Sequence, residues 1–245
     1  MTAPAPANVT KTAPSTIVLT NDDGIDAPGI DALHQAVVSL SGRDATVGIV
    51  APDQHLSGCS HQINRGGAIP VAQQAAQRYA IGGTPADCTR VANHLYPQLD
   101  WLLAGINSGG NLGADTYVSG TVAAVREATL LRIPAIAISH YKARHRSINW
   151  QTAAQQTARV LGVLMDKSLE PGQFWNVNLP SLDESAPDPE IVFCSVCTQP
   201  LPTASSLESG RFRYTGIYQD RPRDPGADVD VCFAGSISVS KVSLW

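Results

Sequence analysis

The chain has 245 residues, enough for one sizeable α/β domain with or without an elaborated arm, which excludes a minimal binding peptide. Hydrophobic residues make up 43% and charged residues 16%, a balance that folds rather than persisting as a disordered polyelectrolyte. A formal charge of −4 and a pI near 5.8 argue against a large nucleic-acid surface, and a small anionic ligand would need local cations, a metal or backbone N–H groups to offset repulsion.

Residues 1–14 are rich in Ala, Thr and Pro, lack the basic start and apolar run of a secretory signal, and read as a flexible N-terminal tail. Ser15 to Thr20 is a short β-branched run ending in Asn21-Asp22-Asp23-Gly24, the pattern of a buried parallel strand that delivers a functional loop. Ile30, Leu33, Val37 and Leu40 recur at helical spacing before Gly42, and Ala45 to Val50 gives a second strand. Asp53 to Gly67 has no periodicity and reads as a long loop at the same end of the sheet. Tyr79 to Ile81 is a short strand, and Thr84-Pro85-Ala86-Asp87 starts a helix that runs to about Leu95.

Trp101 to Ala104 predicts the next buried strand, whereas Gly105 to Gly120 is too glycine-dense for a regular element. A helix over Thr121 to Ala128, a strand over Ile133 to Ser139, a helix over Gln151 to Lys167 and a strand over Trp175 to Leu179 continue the alternation. The fold class is therefore α/β, a Rossmann-like wound and largely parallel sheet with helices on both faces. From Pro180 the helical pattern stops; Ile191 to Cys194, Arg211 to Thr215 and Val229 to Phe233 read as short strands or hairpin arms, and Gly235 to Val242 as a returning strand. This divides the chain into the tail, an α/β catalytic core over residues 15–180, and an extended C-terminal region over 181–245.

No run reaches about 18 apolar residues, so no membrane span is expected, and the chain reads as cytoplasmic. The five cysteines are odd in number and scattered, which favours reduced thiols; Cys194 and Cys197 have C-x-x-C spacing without a second ligand pair.

Two adjacent carboxylates at a strand end would repel each other if buried, and a hard divalent cation such as Mg²⁺, Mn²⁺ or Ca²⁺ is the economical compensation. Asn-Asp-Asp-Gly is equally a good exposed Asx turn. Loops after several parallel strands converge at the carboxyl edge of a wound sheet, which brings Ser57, Asn107 and Asn111 towards Asp22 and Asp23. Ser119-Gly120-Thr121 precedes a helix and offers hydroxyls and free N–H groups to a phosphate, although simple N-capping explains the same residues. The P-loop, zincin and nucleophile-elbow signatures are absent. Lys142 to Arg146 is the one local basic cluster, a solvated loop or a substrate-steering patch.

Five ordered segments carry a resemblance: Ile17 to Ile30, Val50 to Gly58, Gly83 to Cys88, Gly105 to Gly113 and Ser119 to Ala124. Together they resemble the SurE survival-protein family of 5′/3′-nucleotidases. The resemblance implies one divalent metal per subunit held by Asp22, Asp23, Ser57 and Asn107, with Asn111, Ser119, Gly120 and Thr121 receiving the phosphate. It also implies nucleoside monophosphates as substrates, and homodimers or homotetramers that exchange C-terminal arms. Ala104 stands where that family usually has serine, and Ser108 where histidine or arginine is common. The loss of a cation at Ser108 is expected to alter substrate preference or turnover.

The chemistry expected from this set is metal-assisted hydrolysis of a phosphomonoester, with Asp22 and Asp23 catalytic, Asp22 touching the attacking water and Asp23 mainly a ligand. A covalent aspartyl-phosphate on Asp22 is the alternative chemistry, and a non-catalytic nucleotide or phosphate sensor the alternative function.

Overall fold

A computed structural model of the chain describes residues 15–41, 45–143, 146–183 and 185–245. The tail over residues 1–14, the Gly42 helix stop, and Arg144 and His145 of the basic cluster lie outside the described residues.

The chain opens on β1 (Thr16–Thr20), α1 (Pro28–Ser41) and β2 (Thr46–Pro52), then forms an antiparallel pair, β3 (Val71–Ala75) with β4 (Arg78–Ile81). α2 (Pro85–Leu95), β5 (Trp101–Ser108) and the short α3 (Asp115–Val118) lead to α4 (Gly120–Leu130), β6 (Ala135–His140), α5 (Trp150–Leu164) and β7 (Gln173–Leu179). The remainder holds β8 (Ile191–Phe193), the antiparallel hairpin of β9 (Ser205–Glu208) and β10 (Arg211–Tyr214), α6 (Asp228–Phe233) and β11 (Ile237–Ser243). Among the described residues no helix is long and apolar enough to cross a membrane.

The main sheet has the order β3-β4-β2-β1-β5-β6-β7-β11-β8, and the six strands from β4 to β7 are mutually parallel. β11 enters antiparallel beside β7, and β8 pairs parallel with β11. β1 alternates its side chains between two cores: Ile17 and Leu19 join α1 and α5 on one face, whereas Val18 joins α2 and α4 on the other. The chain winds one way from β1 through β2 and the other way through β5, so the strand order reverses between β1 and β5. Open α/β sheets bind ligands beyond the carboxyl ends of the strands at such a reversal.

Local chemistry sets the helix starts. Thr84 and Asp87 form a reciprocal capping box with Pro85 at the first helical position, as the sequence predicts. Asp87 also accepts the backbone N–H of Asn64 at 3.0 Å and so ties down the long loop after β2.

Three expectations change. Val229 to Phe233, read as a strand, is the helix α6, because Asp228, Val229 and Cys232 are buried at helical spacing and Asp228 receives the N–H groups of Gly113 and Cys197 at 2.8 Å. A five-residue Val-Asp-Val-Cys-Phe run carries both periods. Gly105 to Ser108, read as irregular, continues β5: Gly105 has φ +143°, and an added Cβ would lie 2.2 Å from the Ile138 carbonyl, so glycine is what lets the strand run on beside β6 with a bulge. The same segment also contains α3. β3 and β9 were not predicted, since β3 is exposed along its whole length and shows no burial alternation.

Candidate active site

The Asn21 side chain closes the turn after β1 with two bonds to Gly24: its amide donates to the Gly24 carbonyl at 2.7 Å and its oxygen accepts the Gly24 N–H at 3.2 Å. The Asx turn is thus made by the Asn21 side chain, and the Asp22 and Asp23 carboxylates take other partners.

Asp22 is buried, and the Thr121 hydroxyl donates to its Oδ1. Burial pushes its carboxyl up to about 6; the Thr121 hydroxyl and backbone N–H groups oppose that, and the neighbouring Asp23 charge adds to it. A Cβ on Gly120 would lie 2.7 Å from the Asp22 Cβ and 2.9 Å from its Oδ2. Only glycine admits the carboxylate this close to the N-terminus of α4, where free N–H groups and the helix dipole favour an anion. The Ser119 hydroxyl caps that helix by accepting the Val122 N–H at 3.0 Å.

Asp23 Oδ2 accepts the Ser108 N–H at 3.0 Å, and its Oδ1 lies 3.3 Å from the His55 ring. The neighbouring Asn107 of β5 has its side-chain amide turned to its own loop, donating to the Gly109 carbonyl at 2.8 Å. The Leu56 N–H donates to the Asp22 carbonyl at 2.7 Å, which places the following residue, Ser57, in an exposed turn at the same edge. Asn111 sits deeper. Its amide donates to the Ser139 hydroxyl at 2.7 Å, its N–H to Asn178 Oδ1 at 2.7 Å, and its carbonyl accepts from Asn176 at 2.9 Å.

Sequence reasoning missed Ser139, Asn176 and Asn178, although Asn-Val-Asn in an otherwise apolar buried strand is a signal: two amides on one face must find partners. It also missed His55 and His140, which burial pushes down and which lies opposite Ser108 in the β5–β6 register. The basic cluster splits. Lys142 lines a cleft of about 410 Å³ with Asp23, His55 and Ser108, whereas Arg146 pairs with Asp183 at 2.9 Å. Lys142 thus supplies a positive group in the cleft where Ser108 carries none.

The glycine-rich loop is anchored from the C-terminal region. Arg221 is buried and meets Asp115 at 2.9 Å, and the Tyr218 hydroxyl donates to the same carboxylate oxygen. Burial still holds the Asp115 carboxyl above its ordinary value, against the opposing Tyr218 and Arg221.

The family profile described as Survival protein SurE matches residues 17–201, most of the chain, including Asp22, Asp23, Asn111 and Thr121. The chain belongs to the SurE family. It is 50% identical over 228 residues to the alr3139 protein of Synechocystis sp., covering 93% of this chain and 99% of that protein. It is 35% identical over 238 residues to 5′-nucleotidase SurE 1 of Burkholderia lata, covering 93% and 89% of the two chains. The crystal structure of the SurE protein from Aquifex aeolicus superposes with a TM-score of 0.79 at 28% identity and 94% coverage of both chains. The SurE match confirms the family resemblance and the wound α/β fold together, and the β9–β10 hairpin answers the expected C-terminal arm.

Proposed function

We propose that the protein is a metal-dependent phosphomonoesterase that hydrolyses nucleoside 5′- and 3′-monophosphates to nucleoside and phosphate. One observation carries the reading: Asp22 is a buried carboxylate at the strand-order reversal, beside Asp23 and against the N-terminus of α4. SurE-family relatives named as 5′-nucleotidases supply the substrate class.

The residues fit a hard cation. Burial without a neighbouring cation raises the Asp22 carboxyl, with the Asp23 charge adding to it, and Asp23, Ser57 and Asn107 add oxygen donors. These four would hold one Mg²⁺, Mn²⁺ or Ca²⁺ per subunit. When bound, the ion supplies neutralisation of phosphoryl charge and acidifies water. In the proposed reaction Asp22 takes the proton of the attacking water, and the Thr121 hydroxyl holds that carboxylate in place. Asn111, the Ser119 hydroxyl and the N–H groups of Gly120 and Thr121 receive the phosphate oxygens.

The exposed hairpin residues Leu207, Phe212 and Tyr214 support assembly into a homodimer or homotetramer through C-terminal arms. Five free cysteines suit a reducing cytoplasm.

The test is phosphate release from a panel of nucleoside 5′- and 3′-monophosphates with Mg²⁺ or Mn²⁺, repeated with chelator. Metal-dependent release is expected. Retained nucleotide binding without any release would make the protein a sensor, and phosphate trapped on Asp22 would replace direct water attack.

A further inference from the structure

The cleft beside Asp23 has an aromatic wall that the chemistry at Asp22 does not use. It is lined by Pro28 from the start of α1, Trp150 from the start of α5, Ile148 just before it, Ser108 from the end of β5, and Lys142 two residues beyond β6. Its volume, about 410 Å³, lies in the range of small-molecule sites. Phosphate seated at Asp22 and the N-terminus of α4 leaves this cleft, on the Asp23 and Ser108 side, for the group that the phosphate esterifies.

Trp150 is fixed there. Asn149 caps α5 by accepting the N–H groups of Gln151 and Thr152 at 3.1 Å, which sets Trp150 as the first helical residue. Its ring edge abuts Gly29, whose added Cβ would lie 3.2 Å from the ring. Trp150 and Ile148 are only partly buried: they pack on the core under α1 and α5 and also line the cleft. A held, half-buried indole lining a cleft next to the proposed phosphate site offers π surface on which a nucleobase can stack.

We propose that Trp150 is the base-recognition surface of this site, a specificity-determining residue that favours nucleoside monophosphates over phosphate esters without a base. The proposal rests on the nucleotidase reading for its substrate. Lys142, across the same cleft, keeps the entrance favourable to an anion.

The experiment compares kcat/KM for adenosine 5′-monophosphate with that for ribose 5-phosphate, in the wild type, Trp150→Leu and Trp150→Phe. Leucine keeps apolar bulk against the core and removes the ring; phenylalanine keeps a ring. Trp150→Leu is expected to lower the ratio about tenfold, chiefly through KM for the nucleotide, with Trp150→Phe within about threefold of wild type. An unchanged ratio in Trp150→Leu, or an equal loss in both variants, overturns the base subsite and leaves nucleotidase activity standing. Should the wild type release phosphate from neither ester, the nucleotidase reading fails. Calorimetric binding of adenosine then tests the cleft by itself: binding lost in Trp150→Leu upholds it, and no binding to the wild type overturns it.

Discussion

Gly120 and Asp22 approach so closely that a single methyl group on Gly120 would stand 2.7 Å from the Asp22 Cβ, well inside van der Waals contact. Gly120 opens α4 with ordinary backbone dihedrals, so alanine is acceptable to the helix itself and its cost falls on the carboxylate. Gly120→Ala is expected to lower phosphate release by about a hundredfold while the far-ultraviolet circular dichroism is unchanged, because displacing a reacting group by about 1 Å has that effect. Full activity in this variant would show that Asp22 need not sit against α4.

Asp22 should destabilise the metal-free protein at neutral pH. Its carboxyl is raised from an ordinary 3.8 to about 6, so the folded state holds the proton more tightly than the unfolded chain. Stability from this group is complete below the unfolded value and is lost as pH rises through the folded one. Asp22→Asn is therefore expected to abolish phosphate release and to stabilise the metal-free protein at pH 7.5 by up to about 3 kcal/mol. The gain shrinks as pH falls towards 4. Urea unfolding of both proteins in chelator at the two pH values measures it; a gain independent of pH would contradict the cause given.

Thr121 contributes through its hydroxyl to Asp22. Thr121→Val keeps the shape and removes the donor, leaving a buried carboxylate short of one hydrogen bond, a loss of about 1–3 kcal/mol. Divalent-ion affinity measured by calorimetry should change along with turnover, since the carboxylate is no longer held. Turnover loss with unchanged ion affinity would confine Thr121 to the phosphate.

The Asp115–Arg221 pair, with the Tyr218 hydroxyl on the same oxygen, ties the glycine-rich loop to the C-terminal region. Arg221→Met alone leaves Asp115 buried and unpaired and is expected to cost about 3–5 kcal/mol. The double variant Arg221→Met with Asp115→Leu should recover much of that, because the Asp115 charge is removed together with its partner. Thermal unfolding of the two variants checks the difference, and a double variant worse than the single one would assign the loss to packing.

Much of this molecule was legible before its structure. β-branched runs alternating with helical spacing over Ser15 to Leu179 marked the wound sheet, and the Thr84–Asp87 capping box marked a helix start to the residue. Short segments were less legible. Val229 to Phe233 carries both a strand and a helix period in five residues, and only the buried Asp228, receiving N–H groups from Gly113 and Cys197, makes it a helix. Gly105 to Ser108 looks too glycine-dense for a strand until the Ile138 carbonyl is seen against Gly105.

The sequence by itself determined the residue types of the site: paired carboxylates, amide and hydroxyl oxygens, and a glycine before a helix. Their order along the chain named the family. Tertiary structure alone decided which of them meet, because contacts such as Thr121 to Asp22 and Ser108 to Asp23 span 99 and 85 residues. It also decided that Asn21 closes the turn, that Asn176 and Asn178 hold Asn111, and that Trp150 lines the cleft beside Asp23. Side-chain chemistry is local information, whereas burial and approach distance depend on how the sheet brings distant loops to one edge.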